Sequence, residues 1–151
     1  MVRASGPTHD AAADRSRGEL DPTARRVFSL YLAAQAVAGV LFWMLFHGVD
    51  AVRAEIELVA AVPAVTDSFL LADAAVVATS AAAAVGLHRG ARWAVVPLAL
   101  TAGGLLYPTL FLLAWVPAKE TGLATLAVMV PPTLLTSWIT WQVWRSERPC
   151  R

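Results

Sequence analysis

Five side chains in this sequence could do chemistry together: Asp73, Tyr107, Thr109, His47 and Ser80. Asp73 is the centre of the set. It stands in DSFLLADAAVVATSAAAAVGLH, residues 67–88, and is the only ionisable residue well inside any of the four long apolar segments. Insertion scales charge about 2.5–3.5 kcal/mol for an acid at the centre of a membrane helix, and less towards the interface. Such a residue must face a bundle interior or water, and it needs hydrogen-bond donors. No Lys or Arg lies inside a span, so the candidate partners are neutral donors or loop residues: Tyr107, Thr109, His47 or Arg53. Ser80, seven residues on, shares the Asp73 face of a helix. A cluster of this kind suits a ligand or proton site; a structural polar clamp that fixes helix register is the competing reading.

Depth supports the grouping. Asp73 lies six residues beyond Asp67, a residue suited to capping, which is about 9 Å along a helix axis. Counting back from Trp115-Val116 places Tyr107 and Thr109 about 10–13 Å below the same surface. Pro108 has no N–H and crowds the carbonyl of Gly104. Pro131-Pro132 stand at a comparable level in the last span, where a helix break is expected, and Pro97 lies near the start of the third. Kinks are expected at Pro97, Pro108, Pro131 and Pro132; those at Pro108 and Pro131-Pro132 would leave a cavity in the outer half of the membrane, lined by Asp73, Tyr107 and Thr109, with His47 near its mouth.

The elements that must position these groups are membrane helices. Of 151 residues, 58% are hydrophobic and the mean hydropathy is +0.59, against about 45–50% apolar residues in soluble domains. About 20 apolar residues cross the hydrocarbon as a helix. Four segments qualify, at about 27–49, 67–88, 93–116 and 122–144, giving an all-α membrane protein with a four-helix transmembrane domain at 25–145. The first apolar run exceeds the ~7–15 residues of a signal-peptide core and reads as a retained helix opening at Asp21-Pro22-Thr23. Thr66, Asp67 and Ser68 are suited to cap the second span. Gln35, an amide inside span one, is expected to bond a neighbouring helix. Residues 1–24 and 146–151 read as cytoplasmic tails, the first too polar to order. Between spans one and two, Val52, Ile56 and Val59 recur at helical spacing, Arg53 precedes Glu57 by four, and Pro63 would end the run. That predicts a short amphipathic helix in the first outer loop. Ala74, Ala78, Ala82 and Gly86 form a small-residue stripe; with Gly103 and Gly104 they are the expected close-packing positions, within the bundle or in a homodimer.

Orientation follows from charge. Arg3, Arg15, Arg17, Arg25 and Arg26 precede span one, Arg89 and Arg92 join spans two and three, and Arg145, Arg148 and Arg151 follow span four. Only Arg53 and Lys119 lie on the other side, so both termini are expected in the cytoplasm. Trp93, Trp141 and Trp144 would mark the inner interface, Trp43 and Trp115 the outer one. Arginine-rich, alanine-rich usage suggests a bacterial inner-membrane protein.

Several classes are disfavoured. A net charge of +1 offers no basic face for nucleic acid. A single cysteine, Cys150, forms neither an internal disulfide nor a Cys-x-x-Cys site. No nucleophile elbow, phosphate loop or zinc motif is present, so neither cofactor nor metal is expected and an enzyme is disfavoured. The chain resembles four-span multidrug exporters in size and in its single buried acid, which would imply a small proton-coupled transporter; those carry the acid in span one, whereas here it is in span two. Four-span sterol-isomerase-like and DoxX-like proteins share the architecture, without a shared motif, and would imply a lipid-modifying enzyme. The leading expectation is a binding protein for a small apolar ligand, a lipid or a partner membrane protein.

Overall fold

The computed structural model describes residues 20–56, 64–119 and 123–147. Most of the N-terminal segment, Glu57, Val59 and Pro63 of the first loop, and Cys150 lie outside the described residues. Four helices are long and apolar enough to cross a membrane. They are α1 (Pro22–Gly48), α4 (Leu70–His88), α5 (Val95–Lys119) and α6 (Leu123–Ser146). Two short helices, α2 (Asp50–Ile56) and α3 (Ala64–Asp67), lie between α1 and α4. The chain is therefore that of a multi-pass membrane protein.

Local chemistry sets the helix ends. The Asp21 carboxyl accepts from the Ala24 amide at 3.3 Å and Pro22 follows in the first turn, as a helix start needs. The second span begins later than expected. Ala64–Asp67 forms its own helical turn, so α4 starts at Leu70 with Phe69 as its N-cap and no side-chain cap. Asp67 instead meets Arg53 at 3.7 Å. Between α4 and α5 the chain reverses through Gly90, whose φ of +66° suits glycine, and a 3-10 turn at Arg92–Ala94.

The prolines do not break the helices. Pro97 falls in the first turn of α5, where a missing N–H costs nothing. Pro108 and Pro117 lie inside α5, and Pro131 and Pro132 inside α6, both of which run continuously. The expected break at Pro131-Pro132 is therefore absent.

The helices pack in the cyclic order α1, α4, α5, α6, each antiparallel to the next, with only sparse contact between α6 and α1. Lipid-type surface lies outside: Leu30, Leu71 and Leu134 are among the most exposed residues. The interior carries hydroxyls instead, with Ser29, Ser80, Thr101, Thr109, Thr133 and Thr136 all buried. They bridge helices. Ser29 donates to the Ala84 carbonyl at 2.8 Å, Thr101 to the Thr79 hydroxyl at 2.9 Å, and Thr109 pairs with Thr133 at 2.7 Å. In lipid, where apolar association has no water to drive it, such bonds contribute about 0.6 kcal/mol each and at most about 1.7.

Close packing uses part of the expected set, Gly86, where an added Cβ would stand 2.8 Å from Ala94 Cβ, and Gly104, but not the stripe as a whole. Ala74 and Ala78 are exposed, Ala82 is half-buried, and only Gly86 is buried. A four-residue repeat advances 40° per step around a helix, so the stripe winds off any one face. Nothing lies within 4 Å of a Cβ placed on Gly103, whereas one on Gly104 would stand 2.5 Å from Val76 Cγ2. Gly39 of α1 receives Val77 the same way, at 2.6 Å. Helix α4 is thus held between two glycine notches by adjacent valines.

Candidate functional site: a cavity between the first and last spans

The sparse α1–α6 contact has a local cause. Near the end of the bundle that carries the termini, the two helices touch. Phe28 meets Trp138 edge-on at 5.5 Å, and Tyr31 reaches the Pro132 carbonyl and the Thr136 hydroxyl at 3.4 Å. Further along, α1 presents Ala34, Ala38 and Gly39, too small to fill the space towards Val128 and Met129 of α6. A cavity of about 430 Å³ results, walled by α1, α4, α6 and Leu105 of α5. Ala34, Ala38 and Val128 on its rim are exposed, so its mouth opens sideways, towards where lipid would lie.

Its walls are apolar except at two places, about two helical turns apart. At the first, the Trp43 indole donates from Nε1 to Asp73 Oδ2 at 3.0 Å, the one hydrogen bond that the Asp73 side chain makes among the described residues. At the second, Gln35 donates from Nε2 to the Ser80 hydroxyl at 3.0 Å and accepts from Thr136 at Oε1 at 2.9 Å, joining three helices through one amide. Asp73 and Ser80 both line the cavity, on one face of α4. A smaller void of about 40 Å³ lies on the other side of the Asp73–Trp43 pair, lined among others by Pro108, Phe111 and Thr125. The buried hydroxyl oxygen of Thr125 has no hydrogen-bond partner among the described residues.

The structure does not gather all five candidates. Tyr107 is 66% exposed and lines neither cavity. Residues two apart on a helix point to nearly opposite sides, so Tyr107 and Thr109 could not both face inwards. Thr109 is buried, but its hydroxyl serves the Leu105 carbonyl at 2.8 Å and Thr133. The depth match does appear in Pro108, which shares the smaller void with Asp73. His47 lines neither cavity; its exposed ring stacks on Trp43 at 5.6 Å, one residue removed from the acid. Arg53 lies over the Phe46 ring at 5.3 Å and meets Asp67.

Sequence reasoning missed Trp43 and Gly39. A tryptophan near a span end reads as an interfacial anchor, but Trp43 is only 8% exposed. The available signal was chemical: its N–H is a pure donor at the depth of an acid that needs one. Gln35 shows the expected interhelical bonding. No group of three or more potential metal ligands occurs among the described residues. The chain matches no protein-family profile, no curated protein and no solved structure in comparisons with known proteins.

Proposed function

We propose that this chain is an integral membrane binding protein that takes a small, largely apolar molecule from the bilayer into the cavity beside Asp73. One observation carries this reading: about 430 Å³ of laterally open space with apolar walls and two separate polar positions. That volume lies within the roughly 300–1,000 Å³ of small-molecule sites, which pair apolar walls with a few orienting polar groups. Among the described residues the cavity lining supplies no nucleophile–base pair, which favours binding over catalysis.

Ala38→Trp is the direct test, because Ala38 is an exposed residue on the cavity rim. Wild-type protein purified in mild detergent is expected to carry an apolar molecule detectable by native mass spectrometry. The indole should lower its occupancy about tenfold or more, the equivalent of at least ~1.4 kcal/mol of binding. Equal occupancy in the variant would remove the cavity as the site.

The arginine distribution supports an orientation in a bacterial inner membrane with both termini cytoplasmic and the Asp73 end of the bundle towards the outer face. A C-terminal fusion should then show activity of a cytoplasmic reporter. Alkaline phosphatase activity from the same position would reverse the orientation.

A further inference from the structure

We propose that the occupant is a lipophilic amine, a single ammonium on an apolar body, with its cation at Asp73. This rests on the cavity-binding reading above and names the chemistry of its ligand. The cavity lining contains an acid and no basic side chain among the described residues. Arg53, the cation offered as a partner by the sequence, meets Asp67 at 3.7 Å instead. Trp43 supplies Asp73 with one neutral donor, on Oδ2. An ionised acid in apolar surroundings is costly when unpaired. A guest that brings the cation offsets that cost by pairing with the carboxylate; beside a neutral guest the acid escapes it only by taking up a proton.

The surroundings suit the same chemistry. Phe42 and Trp43 line the space beside the acid, and aromatic rings attract cations most strongly where water is excluded. Seven residues separate Asp73 from Ser80, so the space between the polar positions is about 10 Å long, which fits a medium alkyl chain or a fused-ring body. A phospholipid amine is a poor fit. Its phosphate would follow the ammonium into a cavity whose lining offers no Lys, Arg or His among the described residues. The sideways mouth suits a molecule that first dissolves in the bilayer. Helix α2 contacts both α1 and α6, the two helices that frame the mouth, at the far end of the bundle from the termini.

Octylamine and 1-octanol, matched in length and differing in charge, provide the test. Both are titrated against the purified full chain, wild type and Asp73→Asn, with binding read by native mass spectrometry. Octylamine should bind wild type at least about tenfold more tightly than octanol, a difference of ~1.4 kcal/mol. In Asp73→Asn that preference should disappear while octanol binding is kept. Equal binding of the two by wild type would overturn the amine and leave the cavity reading standing. That comparison decides even if Asp73→Asn does not fold. A preference that persists in a folded Asp73→Asn would also overturn it. So would a copurifying phosphatidylethanolamine that octylamine does not displace. If neither probe binds wild type, or Ala38→Trp binds both as well as wild type does, the cavity reading itself fails.

Discussion

Gly39→Ala and Gly104→Ala should each destabilise the bundle, while Gly103→Ala should not. The added methyl would stand 2.6 Å from Val77 Cγ2 at position 39 and 2.5 Å from Val76 Cγ2 at position 104, with nothing within 4 Å at position 103. Valine cannot easily swing aside, because a β-branched side chain in a helix keeps one strongly preferred rotamer. Overpacking of this kind costs about 1–3 kcal/mol. Alanine is the better helix former by roughly 0.5–1 kcal/mol, which opposes that loss at positions 39 and 104 and acts alone at 103. The net expectation is a loss of up to about 2.5 kcal/mol at the two notches and a neutral or slightly favourable change at Gly103. Reversible unfolding in mixed micelles would measure it. Pairing Gly39→Ala with Val77→Ala, and Gly104→Ala with Val76→Ala, should recover stability through a coupling of about 0.5–3 kcal/mol. Three alanine variants of equal stability would mean that the notches do not hold α4.

These glycines mark where the sequence could be read and where it could not. The four helices were legible because length and hydropathy alone identify them. The depth of Asp73 was not, because a count from Asp67 assumes a helix start there, whereas α4 starts at Leu70 and carries Asp73 in its first turn. Which faces meet was not. Spans α4, α5 and α6 are apolar on nearly every side, so no periodic contrast points inwards. Gly104 and Gly103 look alike in sequence but differ by 100° around α5, and only one meets a valine. Tyr107 fell to the same ambiguity, and Trp43 to the habit of placing tryptophan at the interface. The cavity depends on something no single span encodes, namely that small residues on α1 leave a gap towards Val128 and Met129 of α6. Gln35 was legible because an amide in lipid has few alternatives to a partner helix.

Gln35→Leu should cost about 1–3 kcal/mol, and the loss should reverse when its partners are also made apolar. The amide bonds Ser80 at 3.0 Å and Thr136 at 2.9 Å, and both hydroxyl residues have zero exposure. Leucine keeps the bulk, leaves the buried Ser80 hydroxyl without its interhelical partner and leaves Thr136 only Tyr31, at 3.4 Å. Each lost bond is worth about 0.6 kcal/mol, at most about 1.7, and an unsatisfied buried polar group adds to that. The hydroxyls can turn back to carbonyls of their own helices, as Thr140 does to Thr136 at 2.7 Å, which keeps the cost moderate. Replacing all partners of a hydrogen bond by apolar groups of similar shape is nearly neutral. The triple variant Gln35→Leu, Ser80→Ala, Thr136→Val should therefore regain most of the stability lost in Gln35→Leu, measured by the same unfolding assay. A triple variant weaker than the single one would show that these groups hold the helices by more than mutual satisfaction. The same protein separates the two polar positions of the cavity. Asp73 and Trp43 are untouched in it, so the preference for octylamine over octanol should survive even where absolute affinity changes. Loss of that preference would place the recognition of charge at the amide rather than at the acid.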